Sequence, residues 1–334
     1  MNSFKRIGIG LVIGVVTLMS GDVAAQTIKL ATLAPTGTSM HKSLLKMGSA
    51  WQKAGVRLTV YGDGTMGGES QMVRRMRINQ LQAALLTAQG LSTIDQSVKS
   101  LQLVPMMFRD LEEFDYVQKR IAPVIAEKFR EKGYEILFWS DLGYVHFFTT
   151  KSARRIEDFR PMKMYVWSGD TPTQDLLKTL GLIGVPLEQT DVLTGLQTGL
   201  IDQISTVPLV ALSGQFYRTA NHMLALNWNP LVGALVVSTR TWNRIPAAKR
   251  KALLDAATVA GREIRALGRA ESAEAIEAMK KRGLNVITPT KEDIEDWEKF
   301  AGKIYPEVRG KIMPADTFDQ LKGFVAEYRA KGGK

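Results

Sequence analysis

Apolar and polar positions along this chain change period repeatedly. Thr27-Ile28-Lys29-Leu30-Ala31-Thr32 alternates as a strand, and Val56-Arg57-Leu58-Thr59-Val60-Tyr61 does so again. Between them Leu44, Leu45, Met47 and Trp51 fall at helical spacing, which predicts a helix over 40–53 with those side chains in the core. A buried strand follows over 82–88, then a helix over 112–131 that Gly133 terminates. Two apolar strands are expected over 135–139 and 144–150, the second crossing between domains. The central stretch, 158–208, alternates most regularly. It reads as a strand at Lys163–Trp167, a helix over 171–180, Val185-Pro186-Leu187, a helix over 191–198, and a strand from Ile201 towards Thr206. Such alternation defines an open α/β sheet, in which ligands lie beyond the carboxyl ends of strands, here near 165–168 and 205–208.

Beyond Pro208 the pattern gives a short helix over 209–216 and a second crossover strand over 232–238. Residues 247–282 then stay helical without a proline, interrupted only by Gly261 and Gly268. At 1.5 Å per residue this helix is roughly 50 Å long, enough to bridge two domains. A late strand at 284–287 and closing helices over 291–303 and 316–330 complete the chain, with no internal repeat.

Composition alters this picture at the N-terminus. Lys5 and Arg6 precede an apolar run from Ile7 to Met19, and Val23-Ala24-Ala25 offers a small-residue cleavage site. The run is short for a membrane span of about 20 residues. Residues 1–25 are therefore expected to be a signal peptide, cut after Ala25 on the way to the periplasm. The rest of the 334 residues, 45% hydrophobic and 23% charged over the whole sequence, is ordinary globular material. Without residues 1–25 the balance is 42 basic against 32 acidic side chains, a net +10. No nucleic-acid motif accompanies that excess, so a solvated basic surface is the simpler reading and no nucleic-acid partner is expected. The sequence holds no cysteine, which removes disulfides and thiolate chemistry.

Candidate chemistry is sparse. Gly62-Asp63-Gly64-Thr65-Met66-Gly67 formally matches the dinucleotide fingerprint Gly-x-Gly-x-x-Gly, but no acid stands about 20 residues on to hold a ribose. His41, His146 and His222 lie far apart without ligand spacing, so neither a metal nor a cofactor is expected. Ser168-Gly169-Asp170 is a helix-start signal rather than a nucleophile elbow. Glu112-Glu113 and Glu292-Asp293 stand where helix dipoles favour acids. No catalytic residue is assigned, and an enzyme is not expected.

Several segments resemble one family. Asp158-Phe159-Arg160-Pro161-Met162-Lys163-Met164-Tyr165-Val166 is similar to the Asp-Leu-Lys-Gly-Leu-Lys-Ile-Arg-Val segment of the DctP-type solute receptors of TRAP transporters. Asp191 to Asp202 resembles their Glu-Val-Tyr-x-Ala-Leu-Gln-x-Gly-Val-Val-Asp. Thr65-Met66-Gly67-Gly68-Glu69 and Val104 to Asp110 resemble two further family segments. The resemblance implies a two-lobed α/β periplasmic-binding-protein fold with crossover strands and a long bridging helix. Lobe I would comprise 26–148 with 234–270, and lobe II 149–233 with 271–334. It also implies a small-molecule ligand trapped between lobes and delivered to membrane permease subunits of a TRAP-type transporter.

Departures from the family carry the specificity argument. The arginine that pairs with the substrate carboxylate falls on Tyr165, and a second cationic position falls in Gly143-Tyr144-Val145. Asp202-Gln203-Ile204-Ser205-Thr206 stands where relatives commonly read Asp-Gly-Gln-Glu-Asn. A tyrosine offers a ring face and a hydroxyl but no fixed charge. The expected ligand is therefore mostly apolar or neutral, held by Tyr165, Trp167, Ser205, Thr206, Trp139, Tyr144, Thr36, Gln89 and Trp228, with Met106 and Met107 at the pocket edge. Two alternatives stay open. The chain could be a sensory or carrier protein handing a hydrophobic ligand to a non-TRAP partner, or an organic-acid receptor using a relocated cation such as Arg109 or Lys151.

Overall fold

Eleven strands fall into two mixed sheets in the computed structural model, which describes residues 26–333. They are β1 (Gln26–Thr32), β2 (Val56–Tyr61), β3 (Ala83–Thr87), β4 (Tyr134–Tyr144), β5 (His146–Thr149), β6 (Lys163–Trp167), β7 (Ile183–Leu187), β8 (Gln203–Thr206), β9 (His222–Leu224), β10 (Pro230–Ser238) and β11 (Asn285–Ile287). The first sheet runs β2-β1-β3-β10-β4, and the second β11-β9-β5-β8-β6-β7. β1, β2 and β3 are parallel, whereas β10 lies antiparallel between β3 and β4. In the second sheet β5 is antiparallel to β8 and β9, and β6 is parallel to β7 and β8. The expected signal peptide and its cleavage site lie outside the described residues.

Local chemistry sets the helix starts. Thr38 caps the helix Ser39–Lys53, Asp110 caps Leu111–Glu131, and Asp170 caps Thr171–Thr179, each by accepting a backbone N–H that the first turn leaves unpaired. Thr290 and Asp293 form a reciprocal capping box before Lys291–Val308. Apolar stripes on these helices then bury against the sheets. Leu44, Met47 and Trp51 join Ile28, Leu30 and Leu235 in one core, while Phe148, Ile204 and Met223 centre another in the second lobe.

The helix Ala247–Lys280 spans both lobes. Leu253, Ala257, Ala260 and Ile264 enter the first lobe's core, and Ala275 and Met279 enter the second's. A third core joins the lobes beside it, where Trp297 of Lys291–Val308 packs against Phe147, Phe159 and Trp228 at centroid distances of 5.2, 5.3 and 5.6 Å.

Three boundaries differ from expectation. The strand foreseen over 144–150 is split: Tyr144 ends β4 in the first sheet, His146 opens β5 in the second, and Val145 alone makes the crossing. β10 lies wholly in the first sheet from Pro230, so the return passes through 225–229 and residues 230–233 do not belong with the second lobe. The helix Ala315–Ala330, expected in lobe II, packs on Leu111–Glu131 of lobe I, where Arg329 pairs with the buried Glu113 at 2.7 Å. An amphipathic pattern specifies that a helix face is buried, not which lobe buries it.

Candidate ligand-binding site

Between the sheets lies a cavity of about 410 Å³. It opens at the carboxyl ends of β1, β3 and β8, through Thr32, Leu85 to Thr87 and Ile204 to Thr206, as open α/β sheets favour. Both lobes contribute walls. Leu33, Met40 and Leu85 of the first lobe face Ile204, Val210 and Phe216 of the second, so most of the lining is apolar.

Four of the expected site residues line it: Tyr165 on β6, Ser205 and Thr206 on β8, and Gln89 after β3. The other five do not, and each has a structural occupation. Trp139 neighbours the cavity-lining Ser140 on β4 and packs against the core that joins the lobes. Trp167 is buried, with its ring closing over Gly169. Tyr144 donates to the Phe108 carbonyl at 3.3 Å, and Trp228 belongs to the aromatic junction around Trp297. Thr36 faces Asp63, giving it a backbone N–H at 2.8 Å and a hydroxyl at 2.5 Å. Asp63 lines the cavity in its stead. Met106 and Met107 are not in the lining either.

Charged groups around the cavity are acidic. Among the described residues no Lys, Arg or His lines it, whereas Asp63, Glu69 and Asp141 do. The three acids are not equivalent. Hydrogen bonds from Thr36 hold the Asp63 carboxyl below the usual carboxylate range. Asp141 is tied from behind by Arg265 at 3.1 Å and Arg269 at 2.8 Å, both on the bridging helix. Glu69 has no cation partner among the described residues. It accepts from the Thr87 N–H and hydroxyl at 2.6 Å each and from the Gly90 N–H at 2.9 Å, and burial pushes its carboxyl up.

Tyr165 shares this environment. Burial raises its phenol strongly, and the negative charges of Glu69 and Glu188 push in the same direction. Where the resembled receptors hold a guanidinium, this chain thus holds a neutral hydroxyl facing carboxylates. The relocated cations considered above do not replace it: neither Arg109 nor Lys151 is in the lining. Sequence reasoning missed Glu69, Asp63 and Gln102 as cavity residues. For Glu69 the signal was present, since it ends the Gly67-Gly68-Glu69 segment that marks the family.

Comparison with known proteins agrees with this architecture. The profile of the family "Bacterial extracellular solute-binding protein, family 7" (DctP) matches residues 30–311. The C4-dicarboxylate-binding periplasmic protein DctP of Rhodobacter capsulatus is 24% identical over 226 residues, covering 67% of each chain. A sugar acid binding protein, DctPAm from Advenella mimigardefordensis, solved with galactonate, superposes with TM-score 0.85 at 15% identity, covering 92% of this chain and 99% of its own. A TRAP periplasmic solute-binding protein from Xanthobacter autotrophicus Py2, solved with β-D-galacturonate, gives TM-score 0.82 at 21% identity over 90% of this chain and 99% of its own. The chain belongs to the DctP family: it is a TRAP-type solute-binding receptor with the family's two-lobed α/β fold, and not an enzyme. The ligands in those neighbours are acids, and the comparisons lend no support to an apolar ligand here.

Proposed function

We propose that this receptor works in the periplasm, captures an uncharged, largely apolar small molecule between its lobes, and presents it to the membrane permease subunits of a TRAP-type transporter. The carrying observation is the cavity lining: apolar over most of its area, with Tyr165 among carboxylates and no cation among the described residues. A carboxylate taken from water into such a site loses hydration worth several kcal/mol and meets only like charge. Galacturonate and galactonate belong to the neighbours' sites, and the proposal departs from them on this ground. Capture operates by lobe closure, because ligand contacts from both walls favour the shut form over the open one. Tyr165, Ser205 and Thr206 on one wall and Gln89 on the other are the proposed contacts.

Native mass spectrometry of protein purified without refolding reads the mass of a co-purified ligand. Calorimetry against succinate, galacturonate, galactonate and neutral compounds of similar size then ranks the classes. The expected result is a neutral ligand, with the acids at least tenfold weaker. Micromolar binding of one of those acids, undiminished in Tyr165→Phe, sinks the reading.

A further inference from the structure

We infer that the pole of the first lobe opposite the cavity is a membrane-docking face, which adsorbs on anionic phospholipid headgroups through a basic array with one apolar tip. The cavity opens at one end of the first sheet, through Thr32, Leu85 to Thr87, Ser140 to Leu142 and Leu231 to Gly233. At the other end of that sheet the turns into β2, β3 and β4 and the exit from β10 stand side by side. Contacts tie them together. The Ser238 N–H donates to the Gln82 carbonyl at 2.9 Å, and the Gln82 side-chain amide donates to the Asn79 carbonyl at 3.0 Å. The Thr239 N–H donates to the Gly133 carbonyl at 2.8 Å. Lys249 Nζ lies 2.8 Å from the position of a Cβ on Gly55, which seats the start of the bridging helix beside the turn into β2.

Charge is concentrated at this pole. Its connections, residues 53–57, 74–82, 127–135 and 238–251, hold thirteen Lys and Arg against three Glu. That net +10 equals the whole excess carried after residue 25, so the rest of the chain is balanced. The helices Ser39–Lys53, Glu69–Arg77 and Leu111–Glu131 all finish here, and cations suit helix carboxyl ends. Lys128, Arg130 and Lys251 are engaged by acids. Lys53, Arg57, Arg74, Lys132, Arg240 and Arg244 are exposed, with no ion pair among the described residues. Ile78, between Arg77 and the left-handed Asn79 (φ 59°), is 62% exposed, more than any other large hydrophobic side chain described. A protein-binding face is built on an apolar core with aromatic anchors. This pole exposes no aromatic side chain among the described residues. Charge spread across the ends of five strands, with one apolar tip, fits a headgroup layer instead. Adsorbed in this way, the receptor stays at the membrane with its cavity at the far end of the sheet, open to its ligand. The setting comes from the periplasmic reading above; the ligand's identity does not enter.

Vesicle sedimentation tests this, with receptor that begins at Gln26 so that the apolar run at 7–19 contributes nothing. Vesicles of phosphatidylcholine alone are compared with vesicles that include about one-third phosphatidylglycerol. At about 0.1 M salt the receptor should bind the anionic vesicles and ignore the neutral ones, and about 1 M salt should release it. Lys53→Glu/Arg74→Glu/Arg240→Glu/Arg244→Glu should weaken binding about a hundredfold or more, since each basic side chain near such a surface contributes roughly fivefold. Lys151→Glu/Lys178→Glu/Lys281→Glu/Lys303→Glu makes the same change of charge away from the pole and should cost less than about tenfold, because screening at that salt reaches about 10 Å. Ile78→Ser keeps every charge and should weaken binding several-fold. Urea midpoints show whether the charge variants fold as wild type does; the salt series and Ile78→Ser read the proposal without them. No binding to anionic vesicles, equal binding to neutral ones, or equal losses in the two charge variants overturns the inference. Retention on poly-glutamate without vesicle binding also overturns it and assigns the pole to an acidic protein. None of these outcomes bears on the ligand reading, which the calorimetry above decides separately.

Discussion

Buried acids beside a cation, and Glu69 in the cavity without one, are treated differently by this fold. Asp170 and Lys99 are 2% and 5% exposed and meet at 2.7 Å, joining the second lobe to the first. Glu113 is paired with Arg329, Asp141 with Arg265 and Arg269, and Asp293 with Arg155. Glu69, equally enclosed, is held by neutral donors only. The chain carries 44 Lys and Arg against 33 Asp and Glu, so cations are not scarce. Their absence from the cavity is a matter of placement. At the other buried acids, Asp141 in the cavity wall included, the fold supplies a cation; at Glu69 it supplies none, which disfavours an anionic guest.

Removing a cation from a paired site should produce the largest effect. Lys99→Met leaves Asp170 enclosed without its partner, and losses of roughly 3–5 kcal/mol are typical when one member of a buried pair is deleted. Urea unfolding of ligand-free protein reads the loss. The double variant Lys99→Met/Asp170→Asn should recover most of it, because asparagine can still cap the helix Thr171–Thr179. A single variant as stable as wild type would mean that the pair does not form in solution.

The converse change, adding a cation to the cavity, should be smaller. Tyr165→Arg supplies the charge that the resembled receptors use, but Glu69 and Glu188 already face that position and absorb part of it. An increase of about tenfold in galacturonate affinity is expected, some 1.4 kcal/mol. Calorimetry on the two proteins decides. If wild type already binds galacturonate as tightly, the contrast drawn between cavity and surroundings is wrong.

The smallest effect is a pH dependence. The Glu69 carboxyl is raised by burial, so the folded protein holds its proton more tightly than the unfolded chain does. Its contribution to stability is therefore full below the unfolded value near 4.5 and is lost as pH rises through the higher folded value. Wild type should lose ground against Glu69→Gln between acid and neutral pH. Unfolding free energies of both proteins across that range test the sign. A gap that stays constant with pH shows that Glu69 is not desolvated in the folded state.

How far the sequence discloses all this depends on the kind of question. β1, β2 and β6 follow from alternation, and the long bridging helix follows from its proline-free run, which the structure ends at Lys280. The run through 134–149 is apolar on both sides of Val145, because both sheets bury it, so periodicity cannot reveal the change of sheet there. Tyr165, Ser205 and Thr206 were legible as cavity-lining residues from their place near strand ends. Trp139 and Trp228 were not separable from them, since an aromatic side chain suits a core and a cleft equally well and only its strand face decides. Glu69 acts from beyond a turn, where its aim depends on a backbone path that spacing alone does not encode.

The bridging helix has a mechanical consequence. Gly261 and Gly268 leave notches on its inner side into which Phe138 and Leu142 of β4 fit, and Ser272 donates to the Leu142 carbonyl at 2.8 Å. Along that length the helix is packed closely on the first lobe, where an added Cβ at either glycine would collide with the strand's side chains. Past Ser272 it runs on to Ala275 and Met279 in the other core. Any change of angle between the lobes therefore loads these last turns like the free end of a clamped beam, and their stiffness sets a restoring torque that no residue of the cavity has to supply.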